Sequence, residues 1–150
     1  MDLAARHFTF GWRALLVFLT LGLVLESLHG LKVDWYLSTS LVTRRHMWTL
    51  AHSHGTLLGL LNLAFAAYVP WCLANRGPLH PWASPALIAA SLLLPGGFLL
   101  GGVDVRGGDP GLGILLVPAG GLCLLVAVYL CCGTAPRERS DDPPPPGAAS

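Results

Sequence analysis

MWTLAHSHGTLLGLLNLAFAAYVPWCL, residues Met47–Leu73, decides the fold. It contains no Asp, Glu, Lys or Arg. A helix needs roughly 20 mostly apolar residues to cross the hydrocarbon core of a bilayer, so this stretch is long enough to span one. Working outward, three further stretches have the same character: about Phe10–Leu28, about Trp82–Val103 and about Gly111–Cys132. Trp12, Trp48, Trp71 and Trp82 fall near their ends, where amphipathic rings favour the membrane interface. The sequence therefore predicts an all-α fold, a four-helix transmembrane bundle over residues 1–135. The remainder, residues 136–150, is polar and contains four consecutive prolines. It cannot bury a core and is expected to be disordered.

Composition supports that division. Of 150 residues 53% are apolar and 11% charged, whereas a soluble domain carries about a quarter charged residues. The expected surroundings are a lipid bilayer, with a bacterial inner membrane as the expected location. A net charge of +1 gives no basis for a nucleic-acid partner. Arg6 and Arg13 before an apolar run resemble a signal peptide, but Glu26-Ser27-Leu28-His29-Gly30 lacks a small-x-small cleavage pattern, so this helix is expected to be retained. Cys72, Cys123, Cys131 and Cys132 form no Cys-x-x-Cys pair and read as small, polarisable membrane residues.

Four crossings place both ends of the bundle on one face, the N side. The connections Gly30–His46 and Asp104–Gly111 lie on the other, the loop face. Arg6, Arg13, Arg76, Arg137 and Arg139 fall to the N side, and Lys32, Arg44, Arg45 and Arg106 to the loop face. Five against four decides little; a cytoplasmic N side is expected because Arg44 and Arg45 are read as held for a site. Ser38, Thr39, Ser40 and Thr43 are candidate N-caps for the second helix. Pro95 and Pro118 are expected to kink the third and fourth helices at matching depth, opening a cavity level with His52 and His54. Small residues mark packing faces: Ala83, Ala90, Gly97 and Gly101 on the third helix, Gly22 on the first, Gly55 and Gly59 on the second, Gly120 and Gly121 on the fourth.

The chemistry-bearing stretch is Arg44-Arg45-His46-Met47-Trp48-Thr49-Leu50-Ala51-His52-Ser53-His54-Gly55. Ionisable residues inside a membrane helix are costly and usually face the bundle interior. Arg45, Trp48, His52, Gly55, Gly59 and Asn62 share one stripe. Glu26 and His29 share a stripe on the first helix. His52 should lie about 9 Å below the loop face, and Glu26 about 6 Å from the end of its helix. Glu26, His29, Arg45 and His52, with Asp104 approaching from the same face, are thus expected to form a polar cluster able to hold a proton, a metal or a lipid headgroup. His54 points about 200° away from His52, so one metal ion does not easily take both. The bland alternative is that each imidazole bonds a carbonyl or hydroxyl of a neighbouring helix.

Ala51-His52-Ser53-His54-Gly55, followed by Leu57-Leu58-Gly59, resembles the His-x-His helix of haem-copper oxidase subunit I and its relatives. That resemblance implies haem as a cofactor, with His52 and His54 as ligands of two different irons. It covers about ten residues, and the third and fourth helices carry no histidine to complete a bis-histidine site. A homodimer would then supply the missing ligand. In general character the chain is similar to small bacterial four-helix membrane proteins.

Gly101–Gly111 is glycine-rich but lacks the Gly-Lys-Ser/Thr of a phosphate loop. Asp109-Pro110-Gly111 reads as a turn with Asp109 as N-cap and Pro110 at the first helical position. No nucleophile–base pair is visible, since Ser53 and His54, adjacent on a helix, point apart. The leading expectation is a non-enzymatic multi-pass membrane protein. A haem-binding electron carrier and an accessory subunit of a larger membrane complex are the alternatives.

Overall fold

The computed structural model describes residues 2–38 and 41–133. The tail expected to be disordered, and the candidate caps Thr39 and Ser40, lie outside that range. The described residues are all-α. Their order is α1 (Leu3–Gly30), a single turn α2 (Asp34–Leu37), α3 (Val42–Asn75), α4 (Ala83–Val103), a 3-10 turn Leu112–Leu115 and α5 (Leu116–Cys132). Four helical segments, with α5 counted together with its 3-10 turn, are long and apolar enough to cross a membrane. Helix packing runs in chain order, α1 on α3, α3 on α4 and α4 on α5. The core has two apolar layers. Met47, Ala51, Leu58, Leu94 and Phe98 fill the loop-face half. Phe65, Val69, Ala83, Leu87 and Ala127 fill the N-side half. Large apolar side chains such as Leu16, Leu23, Leu92, Leu122 and Leu125 point outward.

Several boundaries differ from expectation. Helix α1 begins at Leu3 rather than Phe10, which takes Arg6 and His7 into the helix. It ends in a Schellman arrangement: the Val33 N–H donates to Leu28 and the Lys32 N–H to His29. Lys32 takes the left-handed position, at φ 51°, where glycine is usual. Helix α3 starts at Val42 behind Leu41, with no side-chain cap. Thr43 is no cap either, because its hydroxyl donates to the Gly108 carbonyl.

The α4–α5 connection also departs from the reading of its sequence. Arg106 and Asp109 exchange both backbone hydrogen bonds around Gly107 and Gly108, which have φ values of 58° and 95°. Two successive positive φ values suit a tight hairpin turn. Asp109 is drawn into that turn, and the cap of the following 3-10 helix is Gly111. Pro118 consequently falls in the first turn of α5, where a missing N–H costs nothing. Of the two, Pro95 alone lies in a helix interior, in α4; Pro70, expected close to the end of its helix, also lies inside α3, which runs on to Asn75.

The small-residue faces pack as anticipated. Gly11 and Gly59 meet backbone to backbone where α1 crosses α3: a Cβ on Gly11 would lie 2.8 Å from the Gly59 carbonyl oxygen. On the α4–α5 side, a Cβ on Gly97 would lie 2.9 Å from Val117, and one on Gly120 2.7 Å from the Leu94 nitrogen. Gly121 has no such neighbour.

Candidate functional site

The loop-face residues are held mainly by backbone. The Arg44 guanidinium donates to the Gly102 and Val103 carbonyls, at 2.9 and 3.2 Å. Trp48 Nε1 donates to the Leu99 carbonyl, and the Gly111 N–H to the Gly101 carbonyl. Arg44 and the Gly111 N–H occupy carbonyls that the end of α4 leaves without helical partners, Trp48 adds a bond at Leu99, just before them, and the positive charge of Arg44 suits a helix C-terminus. Arg45 donates to the Tyr36 and Ser38 carbonyls, at 2.7 and 3.3 Å, and so fastens the α1–α3 connection.

The five residues expected to cluster are distributed as follows. Arg45 serves Tyr36 and Ser38. His52 Nδ1 donates to the Phe18 carbonyl at 2.7 Å, with its ring seated on Gly22. Asp104 pairs with Arg106 at 3.0 Å, with both side chains largely in solvent. Glu26 and His29 are exposed. Among the described residues no hydrogen bond or ion pair joins any two of the five. Glu26 and Arg45 do share a neighbour in buried Tyr36, whose phenol burial pushes up from its ordinary pKa. Arg45 opposes that shift and Glu26 adds to it.

His54 Nδ1 donates to the Leu50 carbonyl of its own helix, and its ring packs on Phe98 at 4.9 Å. Both histidines of the His-x-His stretch therefore bond backbone carbonyls, on opposite sides of α3. Among the described residues no three His, Cys, Asp or Glu side chains converge to hold a metal, and no disulfide joins the four cysteines.

The most extensive polar arrangement lies elsewhere, running from the N-side core layer towards the loop-face layer. His7, Asn62, Ser84 and Ser91 are buried, at 0%, 0%, 5% and 4% exposure. His7 Nδ1 lies 2.7 Å from Asn62 Oδ1, and His7 Nε2 lies 2.7 Å from Ser84 Oγ. Asn62 Nδ2 donates to the Leu58 carbonyl and to Ser91 Oγ, both at 2.8 Å. Ser91 Oγ donates to the Leu87 carbonyl, and Arg6 donates to Ser84 Oγ. These partners allow one assignment of every hydrogen with a neutral imidazole. Asn62 uses its amide hydrogens on Leu58 and Ser91, so its oxygen accepts from His7 Nδ1–H. His7 Nε2 then accepts from the Ser84 hydroxyl, which in turn accepts from Arg6. A directed chain runs from Arg6 through Ser84, His7, Asn62 and Ser91 to the Leu87 carbonyl, joining α1, α3 and α4. The sequence reading placed Asn62 on a stripe but missed His7, Ser84 and Ser91. The usable signal was a serine pair at helical spacing on α4, together with a histidine just ahead of the first apolar run.

Arg13 is the other polar feature the sequence reading did not single out. It lies between Gly11 and Leu15, which both pack on Gly59 at the middle of α3. It lines a groove of about 410 Å³ between α1 and α4 with Ser91, Pro95 and Gly96, near the middle of α4. Along α1 it lies about 15 Å from the helix start, level with the middle of α3 and of α4. It is exposed and forms no hydrogen bond, ion pair or ring contact with any described residue. A charge at mid-bilayer costs about 2.5–3.5 kcal/mol or more unless paired or snorkelled to water. Removing Arg13 from the N-side count leaves four cations on each face, so charge does not orient the bundle. The expected cavity also moves: open space beside Pro95 faces Arg13, not His52 and His54.

Compared with protein-family models, curated proteins and solved structures, the chain matches none of them.

Proposed function

We propose that this chain is a multi-pass integral membrane protein that crosses the bilayer four times and serves as a non-enzymatic component of a membrane assembly. One observation carries the reading: the fold is organised for lipid. Large apolar side chains cover the outside of the helices, while the polar side chains His7, Asn62, Ser84 and Ser91 are turned inward and bonded to one another. A soluble domain does the reverse. The loop-face set of Glu26, His29, Arg45, His52 and Asp104 is where a proton, metal or lipid headgroup would be engaged, since all five lie towards the same end of the bundle. Alkaline carbonate extraction of membranes tests the reading. Retention in the pellet is expected, and release of the chain into the supernatant contradicts it.

A second reading has one supporting observation. His52 and His54 each commit Nδ1–H to a backbone carbonyl, the partner arrangement common for a metal-bound imidazole that ligates through Nε2. Haem bound through either histidine would give the purified protein a Soret band that His52→Ala or His54→Ala removes. A colourless protein that takes up no added haem contradicts it.

A further inference from the structure

We infer that the groove between α1 and α4 receives a transmembrane helix of another protein that carries a carboxylate near its mid-span, opposite Arg13. The inference rests on the four-crossing reading above and names the partner. Arg13 sits at mid-depth by two independent marks, the Gly11–Gly59 crossing on α3 and the groove residues Ser91–Gly96 on α4. An arginine side chain reaches roughly 6 Å along its stem, less than half the distance to either interface, so snorkelling does not bring its charge to water. An anion must come to it.

The chain supplies none. Its acidic residues Asp2, Asp104 and Asp109 lie beyond helix ends, Asp34 opens the short α2, Glu26 lies in the last turns of α1 about 20 Å along the helix from Arg13, and Glu138, Asp141 and Asp142 follow the last apolar stretch. A second copy in either orientation therefore brings no carboxylate to this depth. Lipid phosphates and fatty-acid carboxylates reside at the interface, about 15 Å away. Only a helix can carry an acid to mid-bilayer and hold it there.

The groove is shaped for such a helix. A Cβ added to Gly96 would meet nothing within 4 Å, so an incoming backbone finds no side chain in its way, as close helix packing requires. Ala14 and Val17 form the facing wall on α1. Pro95 has no N–H for the Ser91 carbonyl to accept, which leaves an acceptor beside Arg13 for a protonated carboxyl or a polar neighbour. The hydrogen bonds that Ser84 donates to His7 and accepts from Arg6 fasten α1 to α4 on the N side of the groove, so its walls are fixed before a partner arrives.

The test uses the full chain, donor-labelled, in phosphatidylcholine vesicles, with an acceptor-labelled synthetic Leu/Ala helix of about 20 residues. The helix carries a single central Glu or, as control, a central Gln. Energy transfer should report about tenfold tighter association for the Glu helix. Arg13→Leu, which removes an unpaired charge and leaves the packing interfaces intact, should abolish that preference. Gly96→Trp, which fills the groove and keeps the charge, should weaken binding of the Glu helix comparably. Equal binding of Glu and Gln helices, or binding indifferent to Arg13→Leu or to Gly96→Trp, overturns the inference. So does displacement of the Glu helix by equimolar oleate, or Arg13-dependent self-association of the chain. Carbonate extraction of the same vesicles keeps the two readings apart: an inserted chain that shows no preference sinks this inference alone, and an extractable chain sinks the membrane reading.

Discussion

His7 Nδ1 and Asn62 Oδ1 lie 2.7 Å apart, both residues fully buried, and tie the N-terminal turns of α1 to the interior of α3. Removing either partner leaves the other's buried polar atom unsatisfied, at a cost of about 1–3 kcal/mol. His7→Ala and Asn62→Ala should each destabilise the fold by that order. The double variant should cost less than the sum, because the second change removes an atom already orphaned. Unfolding titrations in mixed micelles measure all four corners of the cycle, and additive effects would show that the bond is not formed.

Two arginines on the loop face should behave differently. Arg44 closes α4 by donating to the Gly102 and Val103 carbonyls. Arg106 makes an ion pair with Asp104 in which the side chains are 84% and 58% exposed. Exposed pairs of that kind are worth about 0–1 kcal/mol. Arg44→Ala should therefore destabilise by about 1–2 kcal/mol and speed amide exchange in the last turn of α4, while Arg106→Ala should do little. The reverse order would remove the capping account.

Two glycines offer a steric contrast. A Cβ on Gly22 would lie 2.2 Å from the His52 ring, whereas one on Gly96 meets nothing within 4 Å. Gly22→Ala should displace His52 from the Phe18 carbonyl and cost roughly 1–3 kcal/mol. Gly96→Ala should be neutral or slightly stabilising, since alanine favours the helix. Thermal melts of the two variants in the same detergent decide the matter, and equal melting points would contradict the close approach of α1 and α3.

Tyr36 predicts a pH dependence. Its phenol ionises above the ordinary value of about 10, first because it is buried, with Arg45 opposing and Glu26 reinforcing the shift. A group whose folded pKa is raised contributes stability that is complete below its unfolded pKa and is lost as pH rises through the folded value. The α1–α3 connection should therefore hold at neutral pH and loosen only in strong alkali. Tyr36→Phe should remove a phenolate absorbance component that titrates above the ordinary value. Loss of a component that titrates below pH 10 would contradict the burial.

Much of the fold was legible in the sequence because the membrane imposes one strong rule: apolar runs of sufficient length become helices. The small residues Gly22, Gly55, Gly59 and Gly97 also read correctly, since close packing in lipid has few other solutions. The polar layer was less legible. His7 precedes the apolar core of α1, and only the early start of the helix at Leu3 brings it into the bundle. Ser84 and Ser91 are ordinary helix residues until α1 and α3 dock against them. Arg13 reads as a flanking charge in the linear sequence, and the Gly11–Gly59 crossing is what places it at mid-depth. Asp109 looked like a cap because the glycines before it gave no hint that they would close a hairpin with Arg106.

The central claim is four crossings with Leu3 and Cys132 on one face and Arg106–Asp109 on the other. Reporter fusions at Ser150 and within Asp104–Gly108, each active in only one compartment, measure it directly. The account predicts opposite compartments for the two positions. The same compartment for both would contradict the four-crossing arrangement, and with it the depth of Arg13 and of the His7–Asn62 layer.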